Sequence, residues 1–520
     1  MRILFSVRNP AYVRYYDGVL RALAARGHTV ELVTQAGKRA WPASMVALAD
    51  DCPQIRLSTL PDVAFDPWWE LASRLRQARF YLRFLRPEYQ QTPELLSRAR
   101  ARAPGVAVRF GEWVGRRAAA RSAMVRVIDV LEQSTRGAAL FREYLREQQP
   151  DVLVTTPLVV LKTAQIDLAR AAGELGIRNV FAVASWDHLS SKGELNFTPQ
   201  HVFVWNETQT QEARDLHHLE PSRVTVTGAP VFDDWFGRTP ATTRADFCAR
   251  VGLRPDRPLV LYACSSLLEG SPSEAPFVHA WVRHLRRSGH AALRDCGILI
   301  RPHPHRTREW RGVDFSAFDN VVCWPPLGDM PADTASKNDY FDSLFHSAVT
   351  VGLNTSAMIE AAILGRPVHT ILVPEFQHSQ EGTIHFRYLL DGPYSPLRTS
   401  RSLDEHAAGL ARVLDGHDTR PDMRFVEHFV RPGGLDVRAT DRFVDALERV
   451  AAQPAPEPLA VPAWAPMIRP LLSPVAHAAA RRARRISRAF REDKARRLAE
   501  HRRRKAADAG TRAEHAVSRR

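Results

Sequence analysis

The sequence predicts an α/β protein made of two doubly wound domains that face each other across a cleft. Three observations carry this expectation. Short apolar runs alternate with amphipathic stretches along most of the 520 residues, the pattern of parallel strands covered by helices. The alternation comes in two series, separated by a Pro-containing stretch around Asp234 to Pro255. And 520 residues exceed what one ordinary core supports, so two globular units plus extras are expected.

The opening "MRILFSVRNPAYVRYYDGVLRALAARGHTVELVT" is a strand, a loop, an amphipathic helix, a Gly turn and a second strand. Val19, Leu20, Leu23 and Ala24 fall at helical spacing, and "RGHTVELV" closes the helix and opens the next strand. A parallel strand-helix-strand unit of this kind is right-handed and must be covered by helices. From Asp66 to Gln149 strand signals vanish and Arg-rich amphipathic patterns take over, so a helical insertion is expected over about 66–149. Alternation returns at "DVLVTT", "NVFAVA", "HVFVWN" and "RVTVTG", and restarts after the linker with "PLVLYAC", "GILIRP", "NVVCW", "AVTVGLN" and "PVHTIL". Helices run on to about Ala452, and "QPAPEPLAVPAWAPMIRP" is too rich in Pro for regular structure. The expected units are thus 1–235, 256–452, a Pro-rich linker at 453–474 and a tail at 475–520.

Apolar residues make up 45% and charged residues 25% of the chain, the balance of a soluble globular protein. Met1 leads directly into a strand-like run and Arg8, so no signal peptide is read. The longest stretch free of charge, Ser343 to Ile359, is too polar for a membrane span. Five scattered cysteines without metal spacing read as reduced, in a cytoplasmic protein. The net charge of +15 is concentrated at one end: Val475 to Arg520 carries 16 Lys/Arg against 5 Asp/Glu, leaving about +4 for the first 474 residues. The tail is helix-compatible, with Ile486, Phe490 and Leu498 as a thin apolar stripe. It suits an anionic membrane surface, while no recognisable nucleic-acid module accompanies it.

The stretch "VTVGLNTSAMIEAAILGRPVHTIL" carries the densest chemistry. Gly352 permits a close turn after the strand. Asn354, Thr355 or Ser356 can cap the following helix and leave its N–H groups and positive dipole end at the carboxyl edge of the sheet, where a phosphate binds. Glu360 lies one turn inside. "ILIRPHPHR" sets Arg301, His303 and His305 after a buried strand of the same domain, with Pro302 and Pro304 stiffening the loop. Arg suits bidentate phosphate contact, and His can donate to a phosphate or a leaving oxygen. Ser265 and Ser266 end the domain's first strand as small donors. In the first half, "ASWDHLSSKGEL" presents Trp186, Asp187, His188 and Lys192, and an Asp beside a His can form a general base. "QEGTIHF" adds Gln380, Glu381 and His385. Each feature alone also admits a plain structural role as a helix cap, a surface basic loop or a turn.

Together these stretches resemble the two-domain GT-B glycosyltransferases, and within them the bacterial surface-carbohydrate and CDP-glycerol glycerophosphotransferase-like proteins. "MRILFSV" with "RGHTVELV" is similar to the start of many such enzymes, and "VTVTGAPVFDDWF" to their exit from the first domain. "RPHP" and "NTSAMIEAAILGRPV" are similar to the nucleotide-diphosphate loops of the glycerophosphotransferases and of nucleotide-sugar 2-epimerases. The likeness spans roughly 1–60 and 150–450. It implies two facing Rossmann-like domains of GT-B type, the nucleotide on the second and the acceptor on the first. Arg301, His303, Asn354, Thr355, Ser356, Ser265 and Ser266 would bind the diphosphate and Glu360 the ribose or sugar hydroxyls. Asp187 or His188 would activate the acceptor, with Arg8, Asn9, Tyr12, Gln380, Glu381 and His385 as further substrate contacts.

No cofactor and no metal are implied, since helix dipole, Arg and His neutralise the leaving diphosphate. The sequence departs from the family in its first loop, "RNPAYVRYY" in place of a Gly-rich one, in the insertion, and in lacking a DxD motif. The expected activity is transfer of a sugar, or a glycerol-phosphate-like unit, from a nucleotide-activated donor to a surface-polysaccharide or lipid-linked acceptor. A 2-epimerase-like isomerase and a non-catalytic module acting as an assembly partner at the membrane are the rival expectations.

Overall fold

The computed structural model describes the chain except for residues 38, 39, 116, 136–138, 332, 393 and 518–520, and describes no side chain at 114, 495 and 497–517. Its apolar runs form two all-parallel sheets. The first contains β1 (Arg2–Val7), β2 (Thr29–Thr34), β3 (Ile55–Thr59), β4 (Val152–Thr156), β5 (Arg178–Ala182), β6 (His201–Val204) and β7 (Val224–Val226), in the order 3-2-1-4-5-6-7. The second contains β8 (Leu259–Ala263), β9 (Gly297–Arg301), β10 (Val321–Cys323), β11 (Val349–Val351), β12 (Val368–Ile371) and β13 (Leu397–Ser400), in the order 10-9-8-11-12-13. Strand order reverses between β1 and β4 in one sheet and between β8 and β11 in the other, and ligands bind outside the strand ends at such reversals. The central strands β4 and β8 are buried along their whole length, as a strand covered on both faces must be. Edge strands β3 and β13 carry a mixed pattern, so their sequences announce them weakly.

Several boundaries differ from those the sequence suggests. The helix Arg244–Val251 falls where a linker is expected; Thr243 caps it, and Phe247, Cys248 and Val251 enter the second domain's core. Ala439–Ala452, expected to close the second domain, crosses back instead. Its Phe443, Val444, Leu447 and Val450 join Ile3, Phe5 and Leu20 in the first domain's core, because its apolar stripe matches the face left open by the Asp17–Ala25 helix. Asp233 holds this crossing, accepting from Arg431 at 2.7 Å and from the backbone N–H groups of Ala439 and Thr440.

The insertion is narrower than expected. Pro67–Arg83, Pro93–Arg102, Gly105–Val114 and Ala118–Gln133 form it, whereas Ala139–Gln148 buries Phe141 and Leu145 in the first core as the crossover helix to β4. Arg76 pins the insertion to the domain, donating to both oxygens of Asp167 at 2.7 and 2.8 Å and to Glu132 at 2.8 Å, all three side chains being buried. The tail helix, Ala465–Val517, starts inside the expected linker and contains Pro470 and Pro474. Ala476, Ala479 and Ala480 are buried on the insertion side, where Arg74 reaches the Ala479 carbonyl. Such packing offsets the hydrogen bonds the prolines remove. Ile486 and Phe490 are exposed; the side chain of Leu498 lies outside the described residues. Among the described residues no helix is long and apolar enough to cross a membrane, and no group of His, Cys, Asp and Glu is arranged to hold a metal ion.

Candidate active site

On the second domain, three loops meet at the carboxyl ends of β8, β9 and β11. Gly352 is dictated by their closeness, since a Cβ there would stand 3.0 Å from the Ala263 carbonyl oxygen. Ser265 is fully buried; its N–H donates to Glu274 at 2.8 Å, and its hydroxyl accepts the Asn354 N–H at 3.0 Å. It locks two loops together, the role its bonds give it in this structure. Ser266 is exposed at the same edge. The Asn354 side chain donates to the Ser379 carbonyl at 2.5 Å and lies 3.4 Å from His385 Nε2. Thr355 accepts the Ala357 N–H at 3.4 Å, while Ser356 is exposed and makes no cap bond.

Arg301 is buried and partly committed, its Nη1 donating to Asp339 and Ser343 at 2.7 Å each. His303 Nδ1 accepts the His305 N–H at 3.2 Å, which leaves Nε2 as the protonated nitrogen of the neutral ring. Burial, helped by His305 and Arg14, pushes His303 down to about 4, so at neutral pH it is an uncharged donor. Glu360 accepts from the Tyr340 hydroxyl; burial pushes its pKa up to about 7, against that bond and Arg14. Gln380 is fully buried, its amide spent on the Leu353 and Ile371 carbonyls, and Glu381 pairs with Arg401 at 2.8 Å. In this structure both side chains bond within the protein, Gln380 inside the loop and Glu381 at its partly exposed edge.

On the first domain, β5 runs into the loop bearing Trp186, Asp187, His188 and Lys192. Asp187 accepts from Ser185 at 2.7 Å, Ser191 at 2.9 Å and Lys192 at 2.8 Å. Burial opposes its ionisation, but Lys192, His188 and His385 outweigh burial and hold it well below the usual carboxylate range. His188 is buried, is pushed down to about 4 by that burial, and leaves Nδ1 without a hydrogen-bond partner among the described residues. Of the pair, the neutral ring is the better proton acceptor and the carboxylate the anchor of Lys192. Arg8 follows β1, and its Nη2 reaches the Leu161 carbonyl at 3.5 Å. Asn9 accepts the Ala11 N–H at 3.0 Å, a cap on the Pro10–Tyr15 turn.

The two halves touch. His385 stands edge-on to Trp186, ring centroids 4.8 Å apart, and burial holds it at about 4 beside Asp187 and Lys192. The Tyr388 hydroxyl donates to Glu212 of the first domain at 3.1 Å. Arg14 crosses from the first loop to Met330 and influences both His303 and Glu360. Arg98 of the insertion donates to the Ser191 carbonyl at 2.6 Å. Arg8, Arg14 and Arg98 form no ion pair among the described residues, so the cleft carries uncompensated positive charge, suited to a phosphorylated ligand. A cavity of about 850 Å³ lies elsewhere, behind the crossing strap, lined by Asp233, Phe236, Arg238 and Arg431 among others. Sequence reasoning missed Arg14, Arg98, Glu212 and Tyr340. Arg14 lies in a loop the sequence had marked as unusual; nothing local distinguishes the others.

No family model and no curated protein matches the chain. Solved structures do. One is a Listeria monocytogenes protein provisionally described as a UDP-N-acetylglucosamine 2-epimerase, 12% identical over 88% of this chain and 99% of that one, with a TM-score of 0.50. The fold is of the GT-B type. The UDP-GlcNAc 2-epimerase of Methanocaldococcus jannaschii is 10% identical, with 86% and 100% covered and a TM-score of 0.49. A Rickettsia africae glycosyltransferase is 10% identical, with 87% and 99% covered and a TM-score of 0.48. At such identities the likeness is one of architecture, and the GT-B assignment rests on the first of these together with the two sheets and their strand order.

Proposed function

We propose that the chain is a metal-independent GT-B glycosyltransferase, moving a sugar or a glycerol-phosphate-like unit from a nucleotide-activated donor to a glycan or lipid-linked acceptor. The observation that carries the reading is the meeting of the Asp187–His188–Lys192 loop with Asn354 and His385 between the two sheets. A donor's diphosphate would lie against the free N–H groups and side chains of Thr355 and Ser356, His303 Nε2 and the unengaged part of Arg301, with Arg14 approaching from the opposite domain. Glu360 would accept from the ribose or sugar hydroxyls. Transfer of a glycerol-phosphate-like unit would join the acceptor oxygen to phosphorus, break the phosphoanhydride and release a nucleoside monophosphate. In transfer of a sugar the acceptor oxygen bonds to the transferred carbon, its proton passes to His188 and the carbon–phosphate oxygen bond breaks. The leaving diphosphate is then stabilised by preset positive charge. The basic tail, and with it a place on a cytoplasmic membrane face, belongs to this reading through the lipid-linked acceptor.

A thermal-shift panel of UDP-, GDP-, CMP-, CDP- and dTDP-linked donors tests it, on the wild type, Glu360→Gln and Arg14→Ala. A ligand at 100 times its dissociation constant stabilises by about 2.7 kcal/mol. One donor that shifts the wild type and fails on both variants supports the site; no shift with any donor sinks it.

A second reading is a 2-epimerase-like isomerase, favoured by two buried carboxyls near the cleft whose pKa is raised by burial, Glu360 to about 7 and Glu212 to about 8. Incubation with UDP-GlcNAc alone in D2O separates the two. Deuterium entering the sugar without an acceptor would establish isomerisation and remove the transferase reading.

A further inference from the structure

The helix Gly105–Val114 is apolar on two opposite faces. Its inner face packs against the Pro67–Arg83 helix through Gly111, where a Cβ would stand 2.5 Å from the Tyr81 ring, and through Ala107 and Val108 at partly buried positions. Its outer face shows Val106, Phe110 and Trp113, which fall on one stripe at helical spacing and are 68%, 54% and 82% exposed. A helix that is apolar all round is normally buried, and a cluster of exposed apolar side chains marks a contact surface. The surroundings specify the partner. From Arg98 to Arg126 the chain carries eight arginines against the single acid Glu112. Arg102, Arg109, Arg117 and Arg126 are exposed and form no ion pair among the described residues. Outward Trp and Phe on a segment rich in exposed arginines is the composition of a helix lying in the interface of an anionic bilayer.

We propose that this outer face docks the protein on an anionic phospholipid surface, with Phe110 and Trp113 inserted at headgroup depth and the arginines on the phosphates. The preceding helix, Pro93–Arg102, carries Arg98, which is bonded to Ser191 beside Asp187, so docking here sets the first-domain side of the cleft next to the membrane. The inference does not depend on which reaction the cleft performs, and it assigns the contact to the insertion; among the described residues of the tail helix, Ile486 and Phe490 are the large apolar side chains exposed on the basic stretch, after Met467, Leu471 and Val475 nearer its start.

The test is co-sedimentation of the full chain with phosphatidylcholine vesicles and with vesicles containing phosphatidylglycerol. Phe110→Ser with Trp113→Ser should weaken partitioning to the anionic vesicles by ~tenfold or more, since two inserted aromatic rings are lost. Exposed positions leave the melting temperature unchanged. Ile486→Ser with Phe490→Ser should leave partitioning near the wild type. Brominated lipid should quench the wild type, and Trp113→Phe should keep binding while losing much of that quenching. The proposal is overturned if no anionic vesicle is bound, or if binding survives the 110/113 change. It is equally overturned if binding follows the 486/490 change instead, or if the 110/113 change dissociates a homodimer and alters nothing else.

Discussion

Glu212 shows what a single side chain can record about this interface. It sits on a first-domain helix, is 2% exposed, and accepts from Tyr388 of the second domain. Burial raises it from 4.5 to about 8, more than the nearby Ser190 and the Tyr388 hydroxyl can offset. The folded chain therefore holds a proton that the unfolded chain releases above about pH 4.5. Stability present below that pH is lost as pH rises toward 8, and Glu274, also raised to about 8 by burial, adds the same sign. Glu212→Gln keeps an oxygen for Tyr388 and removes the ionisation. The melting temperature of the variant should exceed that of the wild type at pH 8 and fall less steeply between pH 5 and 8. Parallel curves would mean that Glu212 does not titrate in this range. At this scale the sequence was legible in placement: Arg301, His303 and Asp187 stand at the strand ends to which their motifs pointed. It was mute at Ser265 and Gln380, whose burial depends on neighbours distant in sequence.

Among the elements, the insertion is the one whose place depends on a few contacts. Arg76 donates to Asp167 and Glu132 in a buried cluster that Arg170 joins through Glu132 at 3.0 Å. Removing Glu132 leaves Arg76 paired with Asp167 but takes the acid partner from the mostly buried Arg170, which costs up to about 3–5 kcal/mol. Glu132→Ala should therefore lower stability by that order in urea titration, and proteolysis should then cut first within 67–133. A loss below about 1 kcal/mol would mean that the insertion is held by apolar packing alone. The sequence marked these helices by their periodicity. It could not separate the crossover helix Ala139–Gln148 from them, because both carry an apolar stripe and only the partner face differs.

For the whole molecule, the return of Ala439–Ala452 to the first domain joins the two sheets into one unit. Asp233, buried and bonded to Arg431 and to two backbone N–H groups, is the joint. Asp233→Ala leaves the buried Arg431 unpaired and that helix start uncapped, a loss of about 3–5 kcal/mol. Denaturant unfolding, if single in the wild type, should split into two transitions as the domains lose their tie. A single transition merely shifted would show that the domains are coupled mainly through the cleft.

By itself the sequence determined two doubly wound sheets, the loops that end their central strands, and the concentration of charge in the tail. Those follow from local periodicity, from Gly and Pro punctuation and from composition, which are properties of neighbours in the chain. Only the tertiary structure decided that Ala439–Ala452 belongs to the first domain and that the tail helix starts at Ala465 through two prolines. The same holds for Arg14 crossing the cleft, Glu212 meeting Tyr388, and one helix of the insertion turning Phe110 and Trp113 outward. Each of these depends on which faces are left uncovered once the sheets have formed, and burial, unlike periodicity, is shared between residues far apart in sequence.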